Sequence, residues 1–203
     1  MYLDPPHDGE AGPTTPEVTE TEALAAVRTL IRWAGDDPSR EGLQDTPSRV
    51  TRAFREYCAG YGQDPGNMLA RVFEDCGGYD DIIVLKDIPF VSHCEHHLAP
   101  ISGTVAIAYM PRDRIVGISK LARVVHAYAR RLQVQERLTV QIAACIRDHL
   151  QPLGVAVIVE AQHGCMTCRG VNTPGVAMVT SKLFGCFVED RASRRDLLAL
   201  LGY

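Results

Sequence analysis

Lysine is scarce in this chain. Lys86, Lys120 and Lys182 are the only ones in 203 residues, so arginine carries most of the positive charge. Arginine offers planar, two-pronged contacts to phosphate. Net charge is small, −4, so nothing global favours nucleic acid or an anionic membrane, and any anion site must be local. No apolar run approaches the ~18 residues that a membrane span requires. The first residues lack the basic start and apolar stretch of a secretory leader. Disulfide pairing is also disfavoured: the seven cysteines are an odd number. A reduced, cytoplasmic setting is therefore expected, with thiols left for metal or for packing. Neither a nucleic-acid nor a membrane partner is expected.

What is present reads as helices followed by a mixed region. Residues 1–16, MYLDPPHDGEAGPTTP, hold four prolines with glycines and acids and read as a disordered tail. From Glu17 to Trp33, Leu24, Val27, Leu30 and Ile31 fall on one helical face. Thr46 and Pro47 suit a helix N-cap and first position, and Val50, Phe54 and Tyr57 follow at helical spacing until Gly60. Asn67 to Phe73 can add a helical turn. Strands are expected at Asp81–Ser92, Gly103–Met110, Val155–Gln162 and Val176–Phe187. Between the second and third lie two helices, one capped by Ser119 and one from Val134 to Leu150, with Leu138, Ile142, Ala143 and Ile146 inward. Ser193 begins a closing helix. The order β-β-α-α-β-β gives an α+β class with an antiparallel sheet. Its helices lie on one face and its edges are exposed, as subunit association often exploits. The domains read as a tail over 1–16, a helical segment over 17–74 and a catalytic domain over 75–203.

The sharpest local feature is Ser92-His93-Cys94-Glu95-His96-His97. Cys94 and His97 have a spacing that lets both reach one ion. His163-Gly164-Cys165, at the end of the third strand, can add a second thiolate. Two thiolates and an imidazole suit zinc and leave its fourth position for water, as in catalytic sites. A closed structural site recruiting Cys168 is the competing reading of the same cysteines, and a redox Cys165–Cys168 dithiol is a weaker one. Cys58, Cys76, Cys145 and Cys186 read as packing residues. If His97 binds metal, the adjacent His96 faces elsewhere, free for proton transfer. His163 and Cys165 alternate onto one face of an extended strand, placing His163 beside the ion.

The segments SREGLQDTPSRV, SHCEHHLAP, VGISKLARVV, QVQERLTVQI and HGCMTCRG, in this order, resemble the GTP cyclohydrolase I family from about Glu17 onward. The resemblance implies Cys94, His97 and Cys165 as zinc ligands and matches no ligand to Cys168. It implies His96 and His163 as the proton-transfer residues, with Ser119 near the ribose ring oxygen. Glu136 corresponds to the carboxylate that holds guanine, and Gln135 falls among the substrate-binding positions beside it. One carboxylate can accept from both N1–H and the exocyclic amine of guanine; otherwise Glu136 reads as a surface acid paired with Arg137 or a helix neighbour. Lys120, Arg123, Arg169, Arg49 and Arg52 correspond to triphosphate-binding positions, with Arg52 standing where Lys is common.

The implied fold is the tunnelling fold, a four-stranded antiparallel sheet with two helices between its halves. The implied assembly is a decamer of two pentameric rings with sites between subunits. The implied reaction converts GTP to dihydroneopterin triphosphate and formate. Two departures stand out. Arg131-Leu132-Gln133 replaces the usual R-P-Q, and Val176-Ala177-Met178-Val179-Thr180 keeps only the last hydroxyl of a Ser/Thr-rich strand. The rival readings are another tunnelling-fold purine or pterin enzyme, and a nucleotide-binding homologue without turnover. His96 and His163 argue against the latter, since binding alone does not need them.

Overall fold

A computed structural model describes residues 18–73 and 78–202. The expected N-terminal tail over 1–16 and Cys76 lie outside these described residues. The chain parts into two compact units, one ending at Phe54 and one beginning at Arg55. The sequence reading put its divide near residue 74. The difference arises because the segment after Phe54 is stitched to the larger unit: Gly60 N–H donates to Arg130 O (2.9 Å), and Arg131 donates back to Gly60 O (3.1 Å) and Gln63 O (3.3 Å).

In the first unit, α1 spans Glu20–Trp33. Thr19 is its N-cap, and Thr19 and Glu22 form a capping box: each side chain bonds the other's backbone N–H. The expected start at Glu17 lies outside the described residues. Helix α2, Thr46–Tyr57, runs across the divide and begins at Thr46 itself, with Arg49 N–H bonded to Asp45 O.

The second unit continues with α3 (Pro65–Met68), β1 (Val72–Phe73), β2 (Ile83–Cys94), β3 (Pro100–Met110) and β4 (Ile115–Val116). Next come α4 (Ile118–Ala129), β5 (Leu132–Gln133) and α5 (Gln135–Leu150). The chain closes with β6 (Gly154–His163), α6 (Gly164–Thr167), β7 (Met178–Gly185), α7 (Cys186–Glu189) and α8 (Arg191–Leu201). The expected class, α+β with an antiparallel sheet, is what forms. Four long strands run antiparallel in the order β2-β3-β6-β7, and the two-residue β5 adds to β2 in parallel, making five. β1 and β4 pair separately.

Both sheet faces are used, which the expectation of helices on one face did not foresee. Val105, Ile107 and Tyr109 of β3 and Val155, Val157 and Val159 of β6 face α4 and α5, meeting Leu121, Val124, Leu138, Ile142 and Ile146. The alternate residues Ala108, Ala156 and Ile158 face Phe187, Leu197 and Leu201 of α7 and α8. Each fully buried aliphatic side chain contributes about 1.5–3 kcal/mol. A bulge in β2 between Leu85 and Ile88, with Asp87 at φ 57°, inserts one residue and switches which parity points to the α4–α5 side. Lys86 in the bulge donates to Leu201 O (3.0 Å), tying down the end of α8.

Several element ends differ from the sequence reading: the turn expected over Asn67–Phe73 ends at Met68 and gives way to β1, and β2, β3, β6 and β7 are each displaced by one to three residues at one or both ends. Gly117, not Ser119, is the N-cap of α4, with no side-chain cap bond; Ser119 lies in the exposed first turn. Asp190, not Ser193, caps α8, because its carboxylate accepts from both Ala192 and Ser193 N–H groups. α5 starts at Gln135, with Val134 as its cap. β7 stops at Gly185, whose φ of 61° turns the chain into α7, so Phe187 is a buried helical residue rather than a strand residue.

Candidate active site and metal centre

Two strand ends and one helix start converge at one end of the sheet. Cys94 is the last residue of β2, and the turn into β3 carries Glu95, His96 and His97. Main-chain bonds close that turn: Cys94 N–H to Ala99 O (2.8 Å) and Leu98 N–H to Cys94 O (2.8 Å), with Leu98 at φ 54°. His163 ends β6, and Cys165 sits in the single turn α6. In register, His93 faces Pro100 and His163 faces Ile101, so β2 and β6 deliver their last residues to either side of the same end of β3.

The ligand atoms of Cys94, His97 and Cys165 lie within 4.8 Å of one another, and the three can hold one metal ion. The donor set fits: two sulfurs and one imidazole suit a borderline-soft divalent ion, and three donors leave a tetrahedral ion one further position. Cys94 is 4% exposed and His97 is exposed, so the cluster is anchored in the core and reaches solvent. Burial, and then neighbouring Cys94, push the Cys165 thiol up; the charge of Arg169 pulls the other way. A metal would reverse this by binding the thiolate. Cys168 is outside the cluster. Its exposed thiol donates to Gly164 O at 2.7 Å, and it is not one of the three residues whose ligand atoms come together.

The histidines separate by role. The His96 and His97 rings are nearly perpendicular (87°), 6.3 Å apart, and His96 is not among the residues whose ligand atoms come together. His96 is largely exposed, with Glu95 Oε1 at 3.8 Å. His93 is buried and stacks on Tyr57 at 4.4 Å, a packing role, and burial lowers its pKa. His163 is half-buried; burial lowers its pKa, and the charge of Glu136 opposes that shift.

Residues at the start of α5 hold the two loops. Gln135 was expected to contact substrate, but its side chain is spent inside the protein. It is 1% exposed, and its Nε2 donates to Met178 O (2.9 Å), Val159 O (3.0 Å) and Thr180 Oγ1 (3.2 Å). Its Oε1 lies 2.8 Å from His163 Nε2. Glu136 is exposed in the same helical turn. Its alternative reading as a partner of Arg137 does not hold, because Arg137 turns to Glu95 and also donates to Gln133 Oε1 (3.2 Å) and Leu132 O (3.1 Å). Sequence reasoning missed Arg137 and Glu95 as a tether, and Gln133, Thr139 and Thr180 as supports. The available signal was Thr139 four residues after Gln135, one turn along the same face.

The cation positions fall in different places. The charge of Arg169, just after α6, is felt at Cys165. Lys120 and Arg123 share one face of α4, and with Ser119 they make no bond to the cluster among the described residues. Arg49 and Arg52 belong to the first unit, where Arg49 pairs with Asp45 (3.2 Å).

The family profile described as GTP cyclohydrolase I matches residues 23–202. The chain belongs to the GTP cyclohydrolase I family. Among its curated relatives, the GTP cyclohydrolase 1 of Hyphomonas neptunium is 52% identical over 184 residues, 91% of this chain and 89% of that protein. The GTP cyclohydrolase 1 of Maricaulis maris is 52% identical over 180 residues, 89% and 88% of the two chains. Family membership and the Cys94–His97–Cys165 cluster thus rest on separate observations, one of sequence and one of geometry. Among solved structures, the apo archaeosine synthase QueF-Like overlaps 53% of this chain and 96% of its own, at TM-score 0.45 and 21% identity. That overlap is too slight to carry an argument. No helix among the described residues is long and apolar enough to cross a membrane.

Proposed function

We propose that this chain is a zinc-dependent hydrolase that converts GTP and water to 7,8-dihydroneopterin triphosphate and formate, the first step towards pterins and tetrahydrofolate. The observation that carries the reading is the cluster of Cys94, His97 and Cys165 with His163 beside it, in a chain of the GTP cyclohydrolase I family. Cys94, His97 and Cys165 would hold zinc, which when bound supplies Lewis acidity and a nucleophilic water at neutral pH.

The chain's own groups then take these roles. Glu136, exposed beside His163, accepts the N1–H and amine of guanine. His163 first takes up a proton on Nδ1, then passes it to N7 and makes C8 electrophilic. Water adds at C8, the imidazole ring opens to a formamide, and a second hydrolysis releases formate. His96, exposed, exchanges protons with the opening ring. Ser119, in the exposed first turn of α4, protonates the ribose ring oxygen. An internal rearrangement and ring closure complete the pterin without a redox cofactor. Lys120, Arg123, Arg169, Arg49 and Arg52 bind the triphosphate.

The same reading includes the tunnelling fold and a homodecamer of two pentamers in the cytoplasm. Its support is the four long antiparallel strands and the outer strand β7, which among the described residues pairs on one side only. Such an edge can continue the sheet into a neighbour. The test is incubation with GTP and zinc, following formate and the dihydropterin absorbance. Formate in step with pterin supports the reading. GTP binding without formate would favour a homologue that has lost turnover.

A further inference from the structure

The hydrogen bonds behind His163 have fixed directions, and these follow from elementary donor and acceptor chemistry. Backbone carbonyls only accept. The Gln135 amide atom at 2.9 Å from Met178 O and 3.0 Å from Val159 O must therefore be its nitrogen. The other amide atom, Oε1, can only accept, so at 2.8 Å His163 Nε2 must be the donor. The neutral ring thus carries its hydrogen on Nε2 and keeps its lone pair on Nδ1.

One step further back, Thr139 Oγ1 lies 2.7 Å from Gln135 O and 2.6 Å from Thr180 Oγ1. Its single hydrogen goes to the carbonyl, so Thr180 must donate to Thr139. The lone pairs of Thr180 are then left to accept from Gln135 Nε2 at 3.2 Å. Gln135 Nε2 has two hydrogens for three acceptors, so Thr180 shares one of them with a carbonyl, and that shared bond closes the chain Thr139–Thr180–Gln135–His163.

Thr180 sits on an edge strand amid apolar neighbours: Val176 and Val179 are exposed, and Thr180 is half-buried. In the stretch Val176–Thr180 it is the only hydroxyl, and it is the one the chain of bonds uses. We propose that Thr180 is a positioning residue for His163, acting through Gln135 to hold the ring in the orientation that leaves Nδ1 towards the substrate. This deepens the functional reading above and rests on it for its catalytic consequence.

The test uses the full-length, zinc-loaded protein and two variants. Thr180→Val keeps shape and branching but removes the hydroxyl; Gln135 retains both carbonyl partners and Thr139 retains Gln135 O, so the fold should persist. Thr180→Ser restores the hydroxyl. Thr180→Val should lower kcat for formate release about three- to tenfold, the loss of one hydrogen bond expressed as rate, with the KM for GTP within about twofold. Thr180→Ser should recover most of the rate. In 15N spectra of the histidine-labelled protein without GTP, wild type should show His163 as a single Nε2–H form, and Thr180→Val the same form with shifted and broadened resonances, since Gln135 keeps both carbonyls but loses its third acceptor. The inference is overturned if kcat does not change, if KM rises in step with the fall in kcat, if Thr180→Ser is as slow as Thr180→Val, or if the spectra of wild type and Thr180→Val match. Should wild type release no formate, the functional reading fails by itself, and the 15N comparison still decides the role of Thr180.

Discussion

Arg137→Met removes the guanidinium that joins the Cys94–Ala99 turn to β5 and α5. Three interactions disappear, and they are unequal. The ion pair with Glu95 involves side chains 41% and 33% exposed, so it contributes about 0.2–1 kcal/mol. The bond to Gln133 Oε1 is different, because Gln133 is 1% exposed and its oxygen would be left buried without that donor, at a cost of about 1–3 kcal/mol. The bond to Leu132 O (3.1 Å) adds a smaller loss. The substitution should therefore cost about 2 kcal/mol, or roughly 4–8 °C in Tm for a chain of this length. Glu95→Gln removes the charge pair alone and should cost under about 1 kcal/mol. Because Glu95 adjoins Cys94, Arg137→Met should also weaken zinc binding by about tenfold, as lost outer-sphere supports commonly do. Melting of zinc-loaded and chelator-treated protein gives the stability terms, and competition with a chromophoric chelator gives the affinity. If Glu95→Gln costs as much as Arg137→Met, the argument from the buried Gln133 oxygen is wrong. If zinc affinity does not change in Arg137→Met, the turn is not held through Arg137.

Two further outcomes follow from packing and protonation. Gly103 pairs Ala161 at the centre of the sheet, and a Cβ there would lie 2.0 Å from Glu160 O and 2.6 Å from Ala161 Cα; Gly103→Ala should therefore lower Tm sharply, and an unchanged melting curve would contradict the close approach of β3 and β6. Burial holds His93, His126 and His163 neutral, each with its pKa below the ordinary 6.5. The unfolded chain then binds more protons, so stability is full above about pH 6.5 and falls as pH drops below it; a denaturation midpoint that rises on acidification from pH 7 to 5 would refute this.

Much of the fold was legible because burial writes simple periods into the sequence. The alternation in GTVAIAYM and VAVIVEAQ put β3 and β6 nearly in place, and Leu138, Ile142, Ala143 and Ile146 are all fully buried as their helical spacing implied. The element ends were less legible. Ser119 and Ser193 have suitable cap chemistry, but another residue wins each start: the Asp190 carboxylate reaches two N–H groups, and Gly117 precedes Ile118 with no side chain involved. The β2 bulge and the two-residue β5 leave no periodic trace. The metal cluster could be read because its ligands occupy short motifs with chemically distinctive side chains. Gln135 could not be placed from sequence. A polar residue beside Glu136 reads as a second substrate contact until its burial shows that it bonds to His163, Thr180 and two carbonyls instead. Arg137 was likewise obscured, since its partner Glu95 lies 42 residues away.

The most direct measurement is zinc K-edge X-ray absorption on protein purified with one equivalent of zinc. Two sulfur scatterers near about 2.3 Å and two nitrogen or oxygen scatterers near about 2.0–2.1 Å are expected, unchanged in Cys168→Ser. Three sulfurs that fall to two in Cys168→Ser, or zinc retained unaltered in Cys94→Ala, would contradict the account.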